Sequence, residues 1–501
     1  MRLDKILIGI FFFLVVGLVI RLIPVVNDTV HFGFDQGLDI ILTKQLVADH
    51  KFNLVSRYSG LQGVLMGPLW TWFLAVPFAI SGGNPAANVV WLAFLSVVSS
   101  LVTYFIVRKI LGKTIGVITF LFSLFAPYFV TNSQIILSPH PLTYLFIFYL
   151  WFVYEISVYR RKIFWVPLGL LLGIFFQLEI AFAVPALLAV LFLVSPFNKQ
   201  TLWGIIIFGL TFIPQLLFDL RHDFLITKSL FSFIGSGSNS LYHEVPPLMT
   251  RFALRIRSFW EDFWIMTLGT TVFPVLTGGL ILMFWGWWTA IRNKDQKALW
   301  TGKTALVIIL SFYFAFSFYP GAIWGWYRQG LPIVYLLFLT IPLGILWNKF
   351  VKLRLFLFLG GIYLLFIFIN PLEIRNKVGG LGEQKQILDY IYNSSQNQGF
   401  SYYAYTPPVY DYIWQYNFWW YGQKKYRYLP KNWQMGVPLL GIGTQSLPPN
   451  KNTGLFYLII EPDSERPWAP NGWKESYIKI GRTLESKTFA NGVIVEKRTT
   501  F

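Results

Sequence analysis

The chain has 501 residues, 55% of them apolar and 19% aromatic, with 41 Lys and Arg against 23 Asp and Glu. It contains no cysteine, which excludes disulfides, thiol nucleophiles and cysteine-based zinc sites. The net charge of +18 and mean hydropathy of +0.54 do not describe a nucleic-acid binder. The basic residues gather at the ends of apolar runs, where membrane topology and anionic headgroups place them.

The first apolar run, 6–26, follows Arg2 and Lys5. It is too long for the core of a signal peptide and lacks a small-residue cleavage site, so it reads as a retained first span. Basic clusters at Arg2/Lys5, Arg108-Lys109 with Lys113, Arg160 to Lys162, Lys199, Arg292 to Lys297 and Lys349 to Arg354 are expected on the cytoplasmic side. An even number of crossings between clusters predicts spans near 6–26, 88–107, 115–131, 141–158, 163–178, 180–196, 201–218, 264–290, 302–319, 329–347 and 355–370. The chain is thus expected to be a polytopic α-helical membrane protein of the cell membrane. It would have about eleven transmembrane helices, the amino end inside and the carboxyl end outside. The run 64–81 reads as a helix lying in or dipping into the outer interface. The expected membrane domain is 1–370, with outer loops 27–87 and 219–263. After Asn370 polar residues, Pro and Gly rise, and 371–501 is expected to be a soluble extracytoplasmic α/β domain. Its predicted elements include a helix from Glu383 to Asn393 and strands at Leu455 to Ile460 and Gly492 to Val495.

Carboxylates are scarce, with thirteen before Asn370. In Phe34-Asp35-Gln36-Gly37-Leu38-Asp39 two of them lie four residues apart, on one face of a helix. The segment 36–50 has the apolar stripe of an interfacial helix. The pair either takes a proton from an acceptor hydroxyl or helps hold a metal; alternatively, Asp35 caps the helix and Asp39 is a solvated surface charge.

Further along, Asp219-Leu220-Arg221-His222-Asp223 leaves a span on the outer side. Arg221 and His222 suit a phosphate there, or Arg221 snorkels at an ordinary span end. Arg251, Arg255 and Arg257 suggest a basic interfacial helix suited to lipid adhesion. In Trp324-Gly325-Trp326-Tyr327-Arg328-Gln329, the tryptophans fit an interfacial belt. Arg328 enters the membrane and calls for an anionic partner, a carboxylate or a lipid phosphate. His140, between two prolines, and Glu179 occupy short outer turns facing one cavity or serving structure. The run Tyr402 to Tyr421 is rich in aromatics that stack on sugars or pack a core.

An acidic motif in a long first outer loop, the segment Gly67-Pro68-Leu69-Trp70-Thr71-Trp72, many spans and an outer carboxy-terminal domain together resemble the GT-C glycosyltransferases. The nearest likeness is to bacterial dolichyl-phosphate-mannose protein mannosyltransferase-like and aminoarabinose transferase-like members. The resemblance covers about 1–370. It implies a hexosyl- or pentosyltransferase that moves a sugar, with inversion, from a polyprenyl-phosphate donor to an acceptor on the outer face. Asp35 matches the catalytic carboxylate of the family's first outer loop. Asp39 matches less closely, because the adjacent acidic pair common in the family is missing here. Arg221, His222, Arg328, His140, Glu179 and Tyr327 are the candidate substrate-binding residues. No cofactor is expected, and a divalent metal is not favoured. The partners would be the lipid-linked donor, membrane lipids and an acceptor that is a protein, lipid or glycan, with no nucleic acid. The rival readings are a flippase or transporter of lipid-linked saccharides, a polysaccharide polymerase or O-antigen ligase-like enzyme, and an inactive scaffold.

Overall fold

The computed structural model describes residues 2–61, 63–194, 199–236, 246–270, 272–369, 380–407, 410–435 and 454–501. Glu244, one of the carboxylates expected in the outer loop 219–263, lies outside them. Two compact units are built from interleaved stretches. The first comprises Met1–Ile23, Leu54–Trp70 and Val90–Ile374, and the second Pro24–Asn53, Thr71–Val89 and Arg375–Phe501.

Each of the eleven predicted spans contains a helix, from Arg2–Val26 to Leu353–Ile369. Among the described residues, four helices are long and apolar enough to cross a bilayer: Ile8–Val26, Pro85–Leu111, Gln296–Phe318 and Leu331–Lys349. There are five if Lys199–Leu210 and Ile213–Arg221, bent by 48°, form one span. Several others, including Lys113–Phe125 and Ile180–Leu193, are apolar but shorter. The reason is local. Lys113–Phe125 stops at Ala126, in extended backbone ahead of Pro127, and Trp165–Leu178 stops at Glu179, whose φ is −161°. The run 64–81 forms the helix Leu69–Ser81. At about 1.5 Å per residue its 13 residues are too short for a hydrocarbon core about 30 Å thick.

The span predicted over 264–290 is two helices. Leu248–Leu268 ends on Gly269 at φ +67°, and Phe273–Arg292 begins afresh. A side chain at Gly269 would be strained by that backbone and would meet Pro127 at 2.8 Å. At the centre of the first unit, Leu331–Lys349 packs against Phe273–Arg292, Lys113–Phe125 and Gln296–Phe318. Arg21 is wholly buried, donating from Nε to Ser96 Oγ (3.1 Å) and from Nη1 to the Leu124 carbonyl (2.8 Å). Lys109 and Arg161, from two basic clusters assigned to one side, converge on the buried Glu155 at 2.6 and 3.0 Å. Those clusters therefore share one end of the bundle.

The second unit carries a four-stranded sheet. Strands β1 (Ser401–Tyr405), β2 (Leu455–Ile460), β3 (Gly481–Thr488) and β4 (Ile494–Thr500) lie in the order β1-β2-β4-β3. The first pair is parallel and the others antiparallel. The predicted strand 455–460 is β2, an interior strand whose near-continuous burial follows from cover on both faces: Phe456, Leu458 and Ile460 pack with Tyr477, and Tyr457 meets Ser394 on the other side. Tyr403, Phe456, Leu458, Ile460 and Tyr477 form its core. The predicted helix runs from Leu381 to Ser395, and the predicted strand at 492–495 is the start of β4. Two stretches of the loop expected on the outer side, within Pro24–Asn53 and Thr71–Val89, fold with this unit. Leu381 N donates to the Val30 carbonyl (2.9 Å), His31 bridges to Gly380, and Lys385 pairs with Asp28.

Candidate functional site

In the first unit, the helix Leu248–Leu268 sets Arg251, Arg255, Ser258, Phe259 and Asp262 at spacings of three and four, along one face. Arg251 Nη1 donates to the Phe318 carbonyl (2.9 Å) and Arg255 Nη2 to the Gly321 carbonyl (3.1 Å). Arg328 arrives from the 3-10 turn Gly325–Arg328. It is 5% exposed, pairs through Nε with Asp262 Oδ2 at 2.6 Å, and donates from Nη1 to Ser258 Oγ. Its guanidinium lies 5.6 Å from the centre of the Phe259 ring. Asp262 is thus the carboxylate that Arg328 called for. Burial, then the charges of Arg328 and Arg251, holds the Arg255 pKa below the ordinary guanidinium value. Three guanidinium groups in one neighbourhood make a site suited to a further anion.

Beside this face opens a largely apolar cavity of about 200 Å³, lined by residues including Gly60, Glu179, Val184, Phe316, Ile323 and Tyr327. Gly60 gives the Tyr327 hydroxyl its room, because a Cβ there would lie 2.5 Å from that oxygen. Glu179 is 5% exposed and accepts a hydrogen bond from Ala181 N at 3.2 Å, capping the helix Ile180–Leu193. Burial raises its pKa to about 7 against the opposing pulls of that hydrogen bond and the Arg57 charge. Arg57 donates to Ser138 Oγ (2.8 Å). His140 is buried nearby in the same turn; burial lowers its pKa to about 4, so its ring is neutral at physiological pH. Its Nδ1 lies 2.8 Å from the Ile135 carbonyl and donates to it.

The second unit holds the acidic pair, on the helix Phe34–Val47. Gly33 is the N-cap, and the Gln36 side chain reaches back to the Gly33 N–H at 3.0 Å, so Asp35 does not cap the helix. Asp35 is exposed in the first turn. Asp39 is only 1% exposed, which excludes a solvated surface charge.

The structure brings Glu179 and Tyr327 together in one cavity and places Arg328 next along the chain. His140 faces the Ile135 carbonyl and does not line that cavity. Arg221 and His222 are exposed at the end of Ile213–Arg221, and the His222 ring stacks on Phe218 with centroids 3.9 Å apart. Asp219 is a structural acceptor: its carboxylate takes hydrogen bonds from Ile226 N (2.6 Å) and from Thr227 Oγ1 (2.6 Å). Sequence reasoning passed over Arg57 and gave Arg255 to lipid adhesion. The spacing from Arg251 to Asp262 carried the signal for Arg255, while nothing local marks Arg57. Among the described residues, no group of three or more His, Asp or Glu is arranged to hold a metal ion.

Residues 66–218 match the sequence model of the dolichyl-phosphate-mannose-protein mannosyltransferase family. The structure is similar to ArnT from Cupriavidus metallidurans bound to undecaprenyl phosphate, with a TM-score of 0.57 at 15% identity over 98% of each chain. The apo state of that protein matches with a TM-score of 0.56, also at 15% identity, covering 98% of this chain and 97% of that one. The chain has the GT-C glycosyltransferase fold. An oligosaccharyltransferase from Archaeoglobus fulgidus aligns over 97% of this chain and 72% of its own at a TM-score of 0.46 and 12% identity. Comparison with curated protein sequences finds no match. The likeness to ArnT spans nearly the whole of both chains.

Proposed function

We propose that this chain is a membrane glycosyltransferase that moves a sugar, with inversion, from a polyprenyl-phosphate donor to an acceptor hydroxyl on the outer face. The observation that carries the reading is an arginine face beside an apolar cavity within a GT-C fold. A prenyl phosphate has the matching parts, an anionic head and an apolar chain. The family model and the undecaprenyl phosphate bound to ArnT support the same class of donor.

In this mechanism Arg328 and Arg255 hold the donor phosphate, and the first isoprene units lie in the cavity. The Asp35 carboxylate accepts the proton of the acceptor hydroxyl as its oxygen bonds to the anomeric carbon. The bond from that carbon to the phosphate oxygen breaks on the opposite side of the ring. Its electron pair leaves with the polyprenyl phosphate, whose charge the guanidinium groups stabilise. Asp39 supports the base. The acidic helix and the carboxy-terminal unit lie on the outer face, and the amino terminus lies inside.

The test is reconstitution with a radiolabelled polyprenyl-phosphate sugar and a membrane acceptor pool, comparing wild type with Asp35→Asn. Product from the wild type and none from the variant is expected. Undiminished transfer by the variant removes Asp35 from its role. Donor that crosses the bilayer without any product identifies a flippase instead.

A further inference from the structure

We infer that the carboxy-terminal unit acts as the seat of the acidic helix, with Gly37 as the positioning residue that sets Asp35 against its acceptor. This rests on Asp35 being the base. A helix of 14 residues is marginal in isolation, so its placement depends on what it packs against. Gly37 lies against the backbone of Tyr412 and Ile413: a Cβ there would come 2.9 Å from Ile413 N and 3.1 Å from Tyr412 C. Successive residues are turned by roughly 100° in a helix, so Gly37 and the Asp35/Asp39 pair occupy opposite sides. The seat holds one side and the carboxylates look away from it.

Contacts on either side of Gly37 fix the helix end to end. Phe34 packs on Tyr412 and Tyr410, with ring centroids 5.1 and 6.4 Å apart. Just upstream, the Phe32 carbonyl accepts from Gln384 Nε2 (2.7 Å), and Gln384 Oε1 accepts from Asn417 Nδ2 (2.8 Å). Lys44, in the last turn, lies 5.2 Å from the Trp419 ring centre. The seat is itself anchored to the sheet. The Asp411 carboxylate accepts from Tyr402 Oη on β1 (2.9 Å) and from Gln415 Nε2 (2.6 Å). Trp414 Nε1 donates to Glu461, the residue after β2, at 2.8 Å. A 1 Å misplacement of a reacting group costs on the order of 10²-fold in rate, and a methyl group at position 37 must move this helix or its seat.

The experiment uses the full chain in proteoliposomes with the same labelled donor. Gly37→Ala is expected to lower kcat roughly 10- to 10²-fold while leaving the donor KM unchanged, with a lower thermal midpoint from the displaced helix, so the rate is read on the folded protein below that midpoint. Alanine is the better helix former, so a weakened helix does not explain that loss. Adding Ile413→Ala removes the side chain whose Cγ2 would lie 3.1 Å from the new methyl, and is expected to restore part of kcat. Should Gly37→Ala not fold, Phe34→Leu keeps the apolar volume, loses the ring contacts, and is expected to lower kcat several-fold. Wild-type kcat in the folded Gly37→Ala protein, or a change confined to donor KM, overturns the inference. If those results accompany an inactive Asp35→Asn, the base assignment stands and only the seat is lost; full activity of Asp35→Asn removes the reading beneath it.

Discussion

In the first unit three arginines gather near the cavity that Glu179 lines, and backbone carbonyls take up much of their hydrogen bonding. Arg251 donates to Phe318 and Arg255 to Gly321. In the second unit, buried carboxyl groups predominate around the acidic helix, and hydroxyl, amide and indole groups answer them: Tyr402 and Gln415 for Asp411, Trp414 for Glu461. A guanidinium stays charged at any working pH, whereas a buried carboxyl changes state near neutrality. On the proposed reading, the first unit holds the donor's anion and the second carries the base, while carboxyls raised to about 7 occur in both, Glu179 in one and Glu461 in the other. Splitting anion binding from proton transfer lets each be broken separately.

The largest expected effect separates the two roles outright. Asp35→Asn is expected to lower the transfer rate by about 10²- to 10⁴-fold, the usual range for a general base, with donor binding intact. A filter-binding measurement beside the rate assay checks both halves. Next, Arg328→Ala removes a charge-assisted hydrogen bond and is expected to raise the donor KM roughly 10- to 10²-fold. Because it also leaves Asp262 buried without its partner, the thermal midpoint should fall as well.

A smaller effect comes from Glu179, neutral below about 7 and anionic above it. Donor binding should weaken several-fold as pH rises from 6 to 8, because an anionic cavity wall repels a phosphate and disfavours an isoprene chain. Glu179→Gln should flatten that profile. The smallest effect on turnover is expected at Glu461, whose pKa burial raises to about 7. Between the unfolded value near 4.3 and about 7, the unfolded chain releases a proton that the folded unit keeps. Stability is therefore highest below that window, falls as pH rises through it and is level above. Glu461→Gln should recover roughly 1–3 kcal/mol above pH 7, read by thermal melts, with little change in turnover.

Much of the helical unit was legible because apolar runs punctuated by Lys and Arg carry a strong local signal, and β2 was legible from its run of Leu455 to Ile460. The break at Gly269 was read through, because the apolar run continues across it and hides the glycine that ends the helix in the left-handed region. The scarcity of acids drew notice to Asp35, Asp39 and Glu179, but Asp262, the partner of Arg328, stands out only when Leu248–Leu268 is laid against the turn at 325–328. The contrast between exposed Asp35 and buried Asp39 was likewise invisible, since both share one helix face and only tertiary surroundings tell them apart.

The interleaving of the second unit has a consequence for biosynthesis. The acidic helix leaves the ribosome among the first segments of the chain, but the carbonyl of Phe32 waits for Gln384, 352 residues downstream. Tyr412 and Ile413 emerge later still. Contacts of such separation form slowly, and chains emerge at about 5–20 residues per second. A nascent or prematurely terminated chain therefore lacks the residues against which the acidic helix packs, and that helix is seated only once Gln384, Tyr412 and Ile413 have been made.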